Sequence, residues 1–241
     1  MYRKVFNKKK LIKMYFLKDN KHKIIFGWSA ICACSHIKKI FYFLQNDRLD
    51  NEIHKKEEYE KDNFTFDKYD YIILFIRNPY ERLVNGYLDK YNNPERGFAR
   101  GQWRPDKKLT FKNFVHELTR NDFQTLNTHH FTPQLSENWT DKIKNHKNIS
   151  IFDINNIPYD FIEYFFDGKK IPEILKVKAN ENKNTFVKEI DFNAYEADYE
   201  QLKDIKPSYE LFYNEEIKRD VTIFYAKDLT FFRDRGFNYT I

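Results

Sequence analysis

Apolar positions fall into short runs separated by charge. Ile24–Trp28, "IIFGW", lies between Lys23 and the small residues Ser29 and Ala30 and predicts a buried strand. From Ser35, read as an N-cap, Ile37, Ile40, Phe41 and Leu44 recur at helical spacing to about Gln45. A second run, Tyr71–Ile76, is bounded by Asp70 and Arg77. The "NPYE" that follows at 78–81 has an Asn cap, Pro at the first helical position and Glu at the third, which predicts a capping box. Leu83, Tyr87, Leu88 and Tyr91 then give that helix its buried stripe. Helical spacing returns at Phe111–Leu118, and "HHFTPQ" at 129–134 breaks it. Residues 148–154, "NISIFDI", predict a third strand, 159–166 a helix, and 209–233 one or two long helices. Residues 1–21 are interrupted by charge every few positions and receive no element. Residues 47–67 read as an exposed helix or loop, and 92–108 as a basic loop.

Strands alternating with helices predict an α/β fold with a central, mostly parallel sheet flanked by helices, in a single domain over residues 1–241. In such a fold, ligands sit beyond the carboxyl ends of the strands. Both Ser29–Ser35 and Arg77–Asn78 fall at such ends.

Composition sharpens this picture. The 24 Phe and 17 Tyr against 6 Gly and 7 Pro describe an aromatic-rich folded core, not a disordered chain. The net charge of +6 favours anionic ligands. The lysines are spread out, and no arginine stripe with interleaved aromatics suggests a nucleic-acid partner. Cys32 and Cys34, one residue apart, exclude a disulfide framework and suit a reducing compartment. The first 21 residues have neither a signal-peptide core nor a membrane span, so the expectation is a soluble, cytoplasmic protein without membrane insertion.

The first motif loop presents the backbone N–H groups of Cys32, Ala33, Cys34, Ser35 and His36 at a helix N-terminus, where the helix dipole favours an anion. Small side chains let the backbone approach. Those residues alone equally describe a tight turn with buried cysteines. Cys-x-Cys-x-His lacks zinc spacing, so no metal is expected. At the second loop, the planar fork of Arg77 suits a phosphate, and Asn85 two turns on can add an amide donor. A pairing of Arg77 with Glu81 or Asp89 is the other reading.

"RNPYERLVNGYLDKY" after an apolar strand resembles the 3′-phosphate motif of the carbohydrate sulfotransferases and their soluble bacterial and viral relatives, Arg-(Asp/Asn)-Pro-x-x-Arg-x-x-Ser-x-(Tyr/Phe). It matches at Arg77, Asn78, Pro79, Arg82 and Tyr87, with Asn85 at the serine. Cys32, Ala33, Cys34 and Ser35 resemble the family's 5′-phosphosulfate loop. His130, Phe131, Pro133 and Gln134 resemble its His-(Trp/Phe)-x-Pro-Gln segment, and Tyr225, Asp228, Leu229 and Phe232 its closing pattern. The resemblance implies a P-loop-like three-layer fold. It also implies metal-free transfer of the sulfuryl group of 3′-phosphoadenosine 5′-phosphosulfate to a carbohydrate hydroxyl by in-line displacement.

In the same terms, residues 32–36 would hold the phosphosulfate and Arg77 with Asn85 the 3′-phosphate. His130 would be the general base, with His36 and His129 in reserve. The sequence departs from the family at Ile31, which occupies the usual lysine position, and at Ala30, which occupies the proline. Loss of one preorganised donor commonly costs about 10²–10³ in rate, so Lys38, one turn into the helix, is the candidate replacement, with Lys39 and the 96–104 arginines behind it. A catalytically impaired nucleotide- or glycan-binding module is the alternative. A nucleotide kinase is disfavoured because no G-x-x-x-x-G-K-[ST] is present. Arg96, Arg100 and Arg104 suit an acceptor that is already anionic, or a solvated loop.

Overall fold

The computed structural model describes residues 14–50, 52–53, 66–92, 110–120, 130–135, 143, 145–177, 191–205 and 207–241. Residues 1–13, the arginines at 96, 100 and 104, and His129 lie outside them.

Ile24–Ser29 forms strand β2, and all six residues are buried because both faces are covered. Phe26 and Trp28 pack with helix α1 (Cys34–Asn46), while Ile25 turns to the opposite core. A Cβ at Gly27 would lie 2.7 Å from Leu74 Cδ2 and 2.9 Å from Phe16 Cε1, so the flanking strands' side chains close over this position. Two further strands, β3 (Tyr71–Ile76) and β4 (Ile149–Asp153), run parallel to β2. Both were legible as apolar runs.

The fourth strand was not expected. Met14–Asp19 is β1, antiparallel to β2 with Met14 opposite Ser29 and Asp19 opposite Ile24, and it completes the sheet order β1-β2-β3-β4. The charges that obscured it lie at its end, where they build the hairpin: Asp19 Oδ1 accepts from the His22 N–H at 2.6 Å and lies 2.9 Å from His22 Nδ1.

The helices lie on both faces of the sheet. Besides α1, the first face carries α4 (Tyr159–Tyr164) and α5 (Glu173–Lys176), and the second carries α8 (Ala226–Arg233) with Leu135 and Ile143. A further core, aromatic and without strand residues, is built by α2 (Pro79–Gly86), α3 (Phe111–Arg120), α6 (Tyr199–Leu202) and α7 (Glu215–Phe224). Tyr87, Phe111, Phe114 and Phe212 are all fully buried in it.

Several local expectations are corrected. Helix α1 starts at Cys34, not after a Ser35 cap. Its N-cap is Ala33, in the left-handed region at φ 53° with no side-chain bond. Asn78 does cap α2, accepting from the Tyr80 N–H at 3.0 Å, but Glu81 pairs with Arg77 instead of closing a capping box. After Gly86 the helix widens into a π turn, Tyr87–Tyr91. Residues 209–233 form a 3₁₀ turn (Tyr209–Phe212), α7 and α8, and Tyr225 breaks the helices where its hydroxyl donates to the Phe131 carbonyl at 2.6 Å. Within 47–67, Ile53 and Phe66 are buried, not exposed. Among the described residues no helix is long and apolar enough to cross a membrane.

Candidate functional site

The four sequence segments singled out above converge at the carboxyl ends of β2 and β3. Gln134 is the joint. Its Oε1 accepts from the Arg77 N–H at 2.9 Å and from the Cys32 thiol at 3.0 Å, and its Nε2 donates to the Arg77 carbonyl at 2.7 Å. Asp228 holds Gln134 in turn, accepting from the backbone N–H groups of Gln134 at 2.6 Å and Leu135 at 3.1 Å. Arg82 ties the remaining loop: fully buried, it donates from Nε to the Ala30 carbonyl at 2.8 Å and from Nη1 to the Thr132 carbonyl at 2.7 Å. Gly86 admits this assembly, since a Cβ there would meet Phe131 Cε1 at 2.9 Å.

Arg77 therefore stands against the first loop. Its Nη1 donates to the Ile31 carbonyl at 3.2 Å and its Nη2 to Glu81 Oε1 at 2.7 Å. Arg77 Nε and Arg82 Nη2 are buried donors with no partner among the described residues. An orphaned guanidinium N–H is costly in isolation and is satisfied by an incoming anion. Ile31 and Ala33 both adopt positive φ, 65° and 53°. A β-branched residue in that region is strained, and such strain gathers at ligand sites. The helix-entry N–H groups with the orphaned Arg77 donor fit a phosphate.

Electrostatics separate buried from poised groups. Burial raises the Cys32 thiol above its ordinary value, against the pull of Arg82 and Arg77, so it is a protonated packing group and donor. Burial likewise raises Cys34, opposed by the ammonium groups of Lys38 and Lys90. Burial also pushes Asp228 up to about 6, opposed by its two backbone bonds and by Arg82.

The other candidates are placed as follows. The Lys38 side chain is buried, with Nζ 5.6 Å from the Trp28 ring centroid. His36 Nε2 lies 3.0 Å from the Tyr159 hydroxyl. That hydroxyl donates to the Lys176 carbonyl, so the imidazole is the donor in the pair. Asn85 Nδ2 donates to the Glu81 carbonyl at 2.8 Å, one turn back on its own helix, instead of toward Arg77. His130 sits on the turn leading to Gln134, its ring edge-on to Phe131 at 6.4 Å. Ser35 is half-buried in the first turn of α1. Arg77 stands beside the first loop through the Ile31 carbonyl and is paired with Glu81.

Sequence reasoning missed the carboxyl end of β4. There Asn155 Nδ2 donates to Glu81 Oε2 at 3.0 Å, and Asp153 Oδ2 accepts from the Tyr239 hydroxyl at 2.5 Å. Burial and the Asp153 carboxylate hold Tyr239 well above its ordinary pKa. The signal was the acidic residue ending the third apolar run, at a strand end next to the motif loops. Lys90 was also missed. A cavity of about 590 Å³ lined by Asp19, His22, Gln45, Phe166 and Asp167 lies at the opposite end of the sheet and contains none of the motif residues. Among the described residues no three His, Cys, Asp or Glu side chains gather as a metal site.

The sequence pattern of the Sulfotransferase family matches residues 14–233, a span from β1 to the end of α8 that contains all four converging segments. The chain belongs to that family, a class of transferases that move sulfuryl groups. No curated protein and no solved structure matches it.

Proposed function

We propose that this chain transfers the sulfuryl group of 3′-phosphoadenosine 5′-phosphosulfate to a hydroxyl of a carbohydrate acceptor. The observation that carries this reading is Arg77, held against the first loop through Ile31 and Gln134, with a buried Nε lacking a partner among the described residues. That arrangement puts one guanidinium and one helix entry within reach of a single nucleotide bearing two anionic groups. When bound, the nucleotide supplies an activated sulfuryl group on a phosphate leaving group.

The chain's own groups divide the remaining work. The N–H groups of residues 33–36 hold the phosphosulfate oxygens in a P-loop-like cradle, and the α1 dipole adds to their charge, whereas the Cys32 N–H is spent on the Ser29 carbonyl at 3.2 Å. Arg77 orients the 3′-phosphate, and the Asn85 amide, spent on the Glu81 carbonyl, takes no part in holding it. Position 31 contributes its carbonyl, which fixes Arg77, instead of a lysine ammonium. The positive potential that Ile31 does not provide comes from Lys38 and Lys90, the two ammonium groups acting on Cys34 at the loop. His130 accepts the acceptor hydroxyl's proton, since neutral imidazole has the basicity for that step near pH 7. The reduced cysteines suit a cytoplasmic setting.

Radiosulfate transfer from the labelled nucleotide over a panel of neutral and anionic glycans and small phenols tests the reading. Label on a glycan, lost in Arg77→Ala, is the expected result. Tight binding of adenosine 3′,5′-bisphosphate without transfer to any acceptor would overturn the enzymatic reading, and label on phenols alone would overturn the carbohydrate acceptor.

A further inference from the structure

The fork of Arg77 already holds an anion. Nη2 donates to Glu81 Oε1 at 2.7 Å, and the second oxygen of the same carboxylate accepts from Asn155 Nδ2 at 3.0 Å. Neither partner of the ion pair is a free surface group: the side chains of Arg77 and Glu81 are 16% and 19% exposed. Glu81 lies in the first turn of α2, where the helix dipole favours a carboxylate. A carboxylate oxygen and a phosphate oxygen make the same charge-assisted bond to a guanidinium. Two anions on one fork in a half-buried site repel strongly.

We propose that Glu81 sets the affinity for the nucleotide's 3′-phosphate by acting as its stand-in on Arg77. This rests on the reading of Arg77 as the 3′-phosphate group's partner. Without nucleotide, the carboxylate fixes the guanidinium in place and neutralises it. When the 3′-phosphate enters, the carboxylate gives up Nη2 and keeps Asn155, so Asn155 is the positioning residue that receives it. Only nucleotides carrying the 3′-phosphate must displace Glu81. The same competition speeds departure of adenosine 3′,5′-bisphosphate, a step that commonly limits turnover in transferases that close around product.

Titration calorimetry of the full chain with adenosine 3′,5′-bisphosphate and with adenosine 5′-monophosphate tests the proposal, because a merely structural role for Glu81 would move both ligands together. In Glu81→Gln, which keeps the shape and a hydrogen-bond acceptor, preference for the bisphosphate over the monophosphate is expected to rise about tenfold. In Asn155→Ala, which leaves the ion pair intact and serves also if Glu81→Gln does not fold, that preference should fall about threefold or more. An unchanged or lower preference in Glu81→Gln, or equal tightening of both ligands, overturns the stand-in role. Loss of the preference in Arg77→Ala alongside such a result would leave the Arg77 assignment standing. A wild-type protein with no preference between the two nucleotides removes the Arg77 assignment itself, and the role of Glu81 with it.

Discussion

The side-chain amide of Gln134 bonds both backbone groups of Arg77, Oε1 accepting from its N–H at 2.9 Å and Nε2 donating to its carbonyl at 2.7 Å. A residue 57 positions away thus acts as a short strand pairing at the end of β3, and its spare lone pair takes the Cys32 thiol. Gln134→Ala would leave three buried polar groups without their partner. The expected loss is about 2–4 kcal/mol in urea unfolding, together with weaker binding of adenosine 3′,5′-bisphosphate, because Arg77 loses its anchor. Gln134→Glu should do no better, since it sets an oxygen against the Arg77 carbonyl.

Arg77→Lys tests whether the fork or the charge matters. A lysine cannot hold the Ile31 carbonyl and at the same time offer a planar pair of donors to Glu81 or to the phosphate that displaces it, as the guanidinium does. Affinity for the bisphosphate should fall about 100-fold. With ligand at 100 times the wild-type Kd, ligand-induced stabilisation should then drop from about 2.7 kcal/mol to about 0.4 kcal/mol in the variant. Equal thermal shifts in the two proteins would place the phosphate elsewhere.

The strands β2 and β3 were legible because they are buried on both faces, and two-sided burial writes an uninterrupted apolar run into the sequence, whereas β4, half-buried throughout, showed as a shorter apolar run broken by Ser150. β1 escaped because its polar residues, Lys18 and Asp19, belong to a hairpin whose purpose appears only when Asp19 meets His22 and Gln45. At the site, Arg77 and the Cys32 loop were legible as strand-end residues. The buried Arg82, Gln134 and Asp228 could be matched to motifs but not assigned roles, since their partners lie 50 to 94 positions away. Nothing in local propensity announces the positive φ of Ile31, because β-branched side chains disfavour it. The dual pairing of Glu81 with Arg77 and Asn155 needed the third dimension as well.

Lys90 belongs to the π turn after α2, and its ammonium, 2.8 Å from Asp89 Oδ2, opposes the burial-driven rise of the Cys34 thiol. If Lys90 supplies the charge that Ile31 lacks, Lys90→Ala should lower the transfer rate about 10–100-fold. Adding Ile31→Lys in that background should restore part of it. Steady-state rates for the single and double variants decide the matter: an unaffected Lys90→Ala assigns the charge to Lys38 alone.

Asp228 predicts a pH dependence of stability. Its carboxyl is pushed up to about 6 in the fold against an ordinary value of 3.8, chiefly by burial, so the folded protein holds this proton more tightly than the unfolded chain. The stability tied to the protonated carboxyl is fully present below about pH 4, falls between about pH 4 and pH 6, and is absent above. The size of the change is on the order of 3 kcal/mol across that window. Asp228→Asn cannot titrate, and its amide nitrogen would face one of the N–H groups of Gln134 and Leu135 that the carboxylate now accepts. The variant should therefore be less stable throughout, and its deficit relative to wild type should shrink as pH rises from about 4.5 to about 7. Urea unfolding of both proteins across that range is the measurement, and a deficit that does not change with pH would mean that Asp228 ionises as an ordinary carboxylate.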